Sequence, residues 1–152
     1  ATNAQAELTD SSLSELIELY RTDQSAKHEK LKKNDFDLLR QLFEALSFHT
    51  NSFIRGVKIN HKILSAALFV QFNNRLIFLF SGNSTEGKSL GAMSFLIDSV
   101  ISEYAGQPII FDFEGSNHPG LARFYSSFGS IEHVYLHLKL NNLPFPLRLL
   151  KK

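Results

Sequence analysis

The spacing of apolar residues changes period along the chain, and the changes mark out its elements. Leu13, Leu16, Ile17, Leu19 and Tyr20 recur at helical intervals. They predict an amphipathic helix from Ser11 to near Ala26, with Asp10 or Ser11 as N-cap and Glu15 close behind. No strand is read before it. Asn34 or Asp35 caps a second helix whose stripe is Phe36, Leu39, Leu42, Phe43 and Leu46, ending around His49, Thr50 and Asn51. The period then shortens. Phe53 to Ile59, Ile63 to Phe72 and Arg75 to Phe80 read as strands joined by Asn60-His61-Lys62 and Asn73-Asn74. Such short turns, with asparagines that tolerate positive φ, make an antiparallel meander. Gly56 and the Ala66-Ala67 pair leave room for another element to lie close.

A helix follows from Thr85 to Tyr104, with Leu90, Met93, Phe95, Leu96, Ile97, Val100 and Ile101 apolar around much of its circumference. It is expected to be buried by more than one neighbour. Gly106 ends it, and Pro108 to Glu114 form a strand in which Asp112 and Glu114 share one face and Phe111 and Phe113 the other. A short helix from Leu121 to Phe128, a strand from His133 to Leu140 and a turn at Asn141 to Pro146 complete the chain before a basic tail.

Composition narrows what such a chain can be. Its 152 residues make one domain with a real core, and its 43% hydrophobic and 20% charged content is that of an ordinary folded protein. A formal charge of +1 gives no electrostatic case for DNA binding. The absence of cysteine excludes disulfides and thiolate chemistry in this chain, and is compatible with the cytoplasmic location expected of it. No apolar run approaches the roughly 20 residues of a membrane helix. The chain starts at Ala1 and its only methionine is Met93. That start suggests a processed protein or a piece of a longer one.

The candidate chemistry concentrates between Leu76 and Glu114. A strand that turns through small residues into a helix aims unpaired backbone N–H groups at one spot, which attracts phosphate. Gly82-Asn83-Ser84-Thr85-Glu86-Gly87-Lys88-Ser89 matches the Walker A pattern, and Ile109-Ile110-Phe111-Asp112 resembles its partner strand. Together they would describe a P-loop nucleotide hydrolase. The hairpins upstream oppose that reading, because a P-loop strand belongs to a parallel sheet reached by long crossovers. Glu86 would also set a carboxylate against the polyphosphate. The segment Lys27 to Lys33 is a basic run of the kind that forms a solvated surface. The six histidines lack the spacing of a helical zinc site with a neighbouring carboxylate, so no metal is expected.

The order helix, helix, three antiparallel strands, helix, strand, helix, strand resembles the GNAT acyltransferase fold, an α/β (α+β) architecture with a mixed central sheet and helices on both faces. Lys88-Ser89-Leu90-Gly91-Ala92 keeps the Gly and Ala character of the GNAT diphosphate loop. Phe124-Tyr125-Ser126-Ser127-Phe128-Gly129 resembles the Y-x-x-x-G segment whose tyrosine commonly protonates the departing thiolate. More narrowly, Asp112-Phe113-Glu114-Gly115-Ser116 with Ala122-Arg123-Phe124-Tyr125 is similar to the Fem-type and BioF-like branch. That branch includes peptidoglycan aminoacyltransferases and often carries two GNAT-like halves. The resemblance implies a single GNAT-like domain spanning the chain, either the second half of a two-domain protein or one that has lost its first strand.

The reaction implied is N-acyl transfer from acetyl-CoA or another acyl-CoA, or from aminoacyl-tRNA, to a small-molecule or peptidoglycan-precursor amine. No tightly bound cofactor is implied. Tyr125 is then the candidate acid and Glu114 the candidate base or amine anchor. Thr85, Gly87, Lys88, Gly91 and Ala92 would cradle the diphosphate, and Asp112, His118 and Arg123 would contact substrate. Each has a plainer reading: Tyr125 as a core residue with its hydroxyl satisfied, Asp112 and Glu114 as partners of Arg123 or turn caps. A GNAT-shaped binding or assembly domain without turnover is the alternative. A missing edge strand would further allow a homodimer paired through the sheet.

Overall fold

The computed structural model describes residues 6–23, 31–115 and 118–134. Among the described residues, five strands lie in the order β1-β2-β3-β4-β5. They are β1 (Glu7–Asp10), β2 (Asn51–Ile59), β3 (Lys62–Phe72), β4 (Arg75–Asn83) and β5 (Ile110–Asp112). The first four pair antiparallel and β4 pairs with β5 in parallel. A mixed sheet with three antiparallel junctions is not the wholly parallel sheet of a P-loop protein, so the Walker-like letters do not sit in a P-loop. Among the described residues no helix is long and apolar enough to cross a membrane.

β1 corrects the expectation that no strand precedes the first helix. Glu7-Leu8-Thr9-Asp10 pairs with Lys58 to Arg55, and Arg55 ties it further, bonding Asp10 and reaching Glu103 at 3.3 Å. A strand with one large apolar residue shows no hydrophobic alternation, which is why it was not legible. With β1 in place, the lost first strand, and the sheet-paired dimer argued from it, lose their premise.

Helix α1 (Leu13–Thr22) starts at Ser12 rather than Asp10 or Ser11. Ser12 and Glu15 form a reciprocal capping box, with the Glu15 N–H donating to Ser12 Oγ at 3.2 Å and the Ser12 N–H to Glu15 Oε2 at 2.8 Å. Those bonds, the Ser12 backbone bond foremost, hold the Glu15 carboxyl below its ordinary value. Helix α2 (Lys33–His49) begins two or three residues earlier than predicted, and Asp35 accepts the Lys32 N–H at 2.6 Å. The close approach expected at Gly56 is present, since a β-carbon there would lie 3.1 Å from Ser11 Cβ.

Two β-bulges sort the core. The register skips Leu64, between Val57↔Ser65 and Lys58↔Ile63, and skips Leu79, between Phe69↔Phe78 and Leu68↔Phe80. Each extra residue reverses which side chains face which way. One face therefore holds Val57, Leu64, Ala67, Phe69, Leu76 and Phe78 under the later helices. The other holds Ile54, Ala66 and Leu68 under α1, with Phe80 beside them.

The single helix expected from Thr85 to Tyr104 is two: α3 (Thr85–Ser89) and α4 (Ala92–Glu103), broken at Leu90 and Gly91. Gly91 takes φ +69, a left-handed conformation that glycine adopts without penalty. Burial on α4 runs along one face, Ala92, Met93, Leu96, Ile97 and Val100, while Leu90 and Phe95 remain 56% and 40% exposed. The helix is thus covered from one side rather than several among the described residues. Helix α5 (Pro119–Ser126) starts two residues earlier than predicted. The strand expected from His133 to Leu140, the turn after it, and most of the Lys27 to Lys33 run lie outside the described residues.

Candidate functional site

β4 and β5 are joined for only three residue pairs, Arg75↔Ile110, Leu76↔Phe111 and Ile77↔Asp112, with the Ile110 N–H donating to Asn74 O at 2.7 Å. Beyond Ile77, β4 continues to Asn83 with no strand on that side among the described residues. The bulge at Leu79 falls just where the two part, and a bulge bends its strand and strengthens its twist. The result is a fork. Its base is clasped by Arg75 Nη1 to Asp112 Oδ2 at 2.6 Å.

Aromatic rings line the branching point. Phe78 is the first residue of β4 past its pairing with β5, and Phe113 is the residue after β5. Their centroids lie 6.0 Å apart, edge to face. Tyr125 of α5 stacks on Phe113 at 4.5 Å and meets Phe78 edgewise at 6.4 Å. Burial pushes the Tyr125 phenol above its ordinary value. Its hydroxyl has no hydrogen-bond partner among the described residues. The bulge turns Phe80 to the opposite face, where it stacks on Tyr20 of α1 at 5.0 Å.

The carboxylates of the Asp112-Phe113-Glu114 run part company, because the strand ends at Asp112 instead of running on to Glu114. Asp112 uses one oxygen for Arg75 and the other, Oδ1, to accept the Glu114 N–H at 2.9 Å. Glu114 turns left-handed at φ +60 with Gly115 following at +76, and its side chain is exposed. Neither acid pairs with Arg123, which lies exposed on α5. His118 is the α5 N-cap, its Nδ1 accepting the Gly120 N–H at 3.2 Å.

The residues expected to hold a diphosphate are dispersed. Thr85 opens α3 and lines, with Glu15, Glu18, Lys62 and Glu86, an open groove of about 560 Å³ whose carboxylates disfavour anions. Gly87 is buried, and a β-carbon there would stand 2.5 Å from Leu64 O. The α3 N-cap Ser84 already takes the Gly87 N–H at 2.9 Å. Lys88 Nζ is bound by both oxygens of Asp23 at 2.6 Å. Ala92 is buried in the core. Gly91 differs: it is exposed, a β-carbon on it would meet nothing within 4 Å, and it caps the 12-residue helix α4. The first N–H groups of a helix have no partner within it.

The structure therefore brings Tyr125, Asp112 and Glu114 to the fork and leaves His118, Arg123, Thr85 and Lys88 in other surroundings. Sequence reasoning missed Arg75, Phe78, Leu79 and Phe113 as parts of the site. The uninterrupted apolar run Leu76 to Phe80 was the available signal, since a bulge breaks alternation in this way.

No protein-family model and no curated protein matches the sequence. Solved structures do. A possible acetyltransferase from Clostridium difficile 630 aligns over 91% of this chain and 99% of its own, at 12% identity and a TM-score of 0.65. A ribosomal-protein-alanine N-acetyltransferase from Brucella melitensis biovar Abortus 2308 aligns over 90% and 99%, at 10% identity and 0.61. A predicted acetyltransferase from Clostridium acetobutylicum, solved with acetyl-CoA, aligns over 90% and 96%, at 14% identity and 0.58. At these identities the likeness is one of fold, and the fold of this chain is the GNAT acetyltransferase fold.

Proposed function

We propose that the protein is an N-acyltransferase that takes an acyl group, acetyl first among them, from acyl-CoA to a primary amine. The observation that carries this reading is the three-pair seam between β4 and β5, opening at the Leu79 bulge onto Tyr125. The fit of acyl-CoA rests on two features of this chain. Among the described residues, β4 beyond Ile77 has no strand on its outer edge and so offers that edge to an extended ligand arm, and the exposed start of α4 at Gly91 offers backbone donors for a diphosphate.

Acyl-CoA, when bound, supplies an activated thioester carbonyl and a thiolate leaving group. The chain supplies the rest. The backbone N–H groups of β4 on the side facing away from β3 are preorganised donors for the oxyanion that develops during acyl transfer. Tyr125, its phenol raised by burial, keeps its proton at neutral pH and is placed to donate it to a departing sulfur. Glu114, exposed beside the fork, presents a carboxylate to the incoming amine.

Calorimetric titration with acetyl-CoA and CoA tests the reading. Micromolar binding is expected, with no heat from ATP; silence at millimolar acetyl-CoA overturns it. Release of free thiol from acetyl-CoA in the presence of an amine, lost in Tyr125→Phe while binding is kept, separates turnover from a domain that only binds.

A further inference from the structure

Among the described residues, four other than glycine have positive φ: Asn60, His61, Asn73 and Glu114. The first three lie in the turns of the two hairpins, where this conformation is required and where Asn and His are among the side chains that adopt it most readily. Glu114 has neither excuse. It is a long, charged residue in a loop, and a left-handed backbone is costly for it. Such strain persists only where the surroundings enforce it, and it gathers at functional sites.

The enforcing group is the carboxylate two residues earlier. Asp112 Oδ1 accepts the Glu114 N–H at 2.9 Å, a bond from two residues back that closes the turn, while Asp112 Oδ2 holds Arg75 at 2.6 Å. One carboxylate thus pins the base of the fork with one oxygen and the backbone of Glu114 with the other. Between the two acids sits Phe113, 9% exposed, whose ring carries Tyr125 at 4.5 Å. Any change at Asp112 reaches both the opening of the fork and the aim of the residues beyond it.

We propose that Asp112 is the positioning residue of this site: its two oxygens fix the fork at Arg75 and force Glu114 into the left-handed turn that presents its carboxylate beside the fork. The role of Glu114 toward an amine rests on the acyltransferase reading; the clasp and the enforced turn do not. Both Asp112 oxygens are engaged by Arg75 and the Glu114 N–H. The residue acts through its neighbours, and the backbone strain at Glu114 is the cost of that placement.

The test compares four variants with the wild type by thermal melting, amide exchange resolved at Phe113 to Gly115, and calorimetric binding of CoA. Glu114→Gly is expected to melt above the wild type, because glycine is not strained there, while CoA affinity is unchanged and acetyl transfer to an amine probe such as spermidine falls at least tenfold. Asp112→Ala should speed exchange at the Glu114 amide at least tenfold and weaken CoA. Asp112→Asn, which keeps an oxygen for that amide, should restore much of the protection without restoring CoA affinity. Arg75→Gln should weaken CoA and leave the Glu114 amide protected. Glu114→Gly melting below the wild type, or Asp112→Ala leaving the Glu114 amide as protected as before, overturns the proposal. A wild type that binds no CoA would instead sink the acyltransferase reading, and melting and exchange would still decide the clasp.

Discussion

Gly82→Ala puts the packing of the first helix layer to a quantitative test. A β-carbon at Gly82 would stand 2.8 Å from Tyr20 N, 2.9 Å from Leu16 O and 2.9 Å from Leu19 Cβ. Two of those neighbours are backbone atoms of α1, which cannot rotate away, so the whole helix must retreat from β4. Overpacking of this kind costs about 1 to 3 kcal/mol, and a clash with main chain belongs at the upper end. For a domain of this size about 3 kcal/mol lowers Tm by about 6 to 12 °C. Gly91→Ala is the control: nothing lies within 4 Å of its β-carbon, so only the left-handed backbone at φ +69 is penalised, by about 1 kcal/mol. Circular-dichroism melts and urea titrations of both variants measure the difference. The expected signature is a large loss in Gly82→Ala and a small one in Gly91→Ala. A Gly82→Ala variant that melts within about 1 °C of the wild type would refute the argument that α1 rests directly on the backbone of β4.

Other expectations follow from the caps and the phenols. Ser12→Ala removes one arm of the α1 capping box and should cost about 1 kcal/mol in urea unfolding. The Glu15 carboxyl lies below its ordinary value of 4.5 in the folded chain, so its contribution is present above that value and is lost as pH falls through the folded one. Ser12→Ala should flatten that acid loss. Burial raises the Tyr104 and Tyr125 phenols above 10.0, so the stability they contribute is full below pH 10.0 and is lost as pH rises through the folded values. Urea unfolding across the alkaline range should show this, with a shallower loss in Tyr125→Phe. In turnover, the same substitution should lower kcat by about 100-fold or more, the usual share of a general acid, with the melting point nearly unchanged because the ring still stacks on Phe113.

Local chemistry made the meander legible. Asn73-Asn74 announced a tight hairpin, and the two bounding strands appear within a few residues of their expected ends. What stayed hidden depended on partners far away in sequence. Lys88 reads as a phosphate ligand until Asp23, 65 residues earlier, is seen to hold it. Gly82 and Gly87 read as phosphate-loop glycines until α1 and β3 are seen to press on them. The period of two placed Asp112 and Glu114 together, but alternation holds only while a strand lasts, and this one ends at Asp112. The helix break at Gly91 was masked because apolar residues continue on both sides of it.

The brevity of the seam between β4 and β5 has a mechanical corollary. β1 to β4, knitted along their length and weighted by α1 and α4, form a stiff slab, whereas the described residues from Ile110 onward are stitched to that slab by a short run of backbone bonds, the Arg75–Asp112 ion pair and a series of ring contacts. Slow exchange should therefore be concentrated in β3, buried from Leu64 to Val70, with β5 amides opening earlier and independently. A protein built this way can alter the lightly attached segment, residue by residue, with little disturbance to the foundation that folds it.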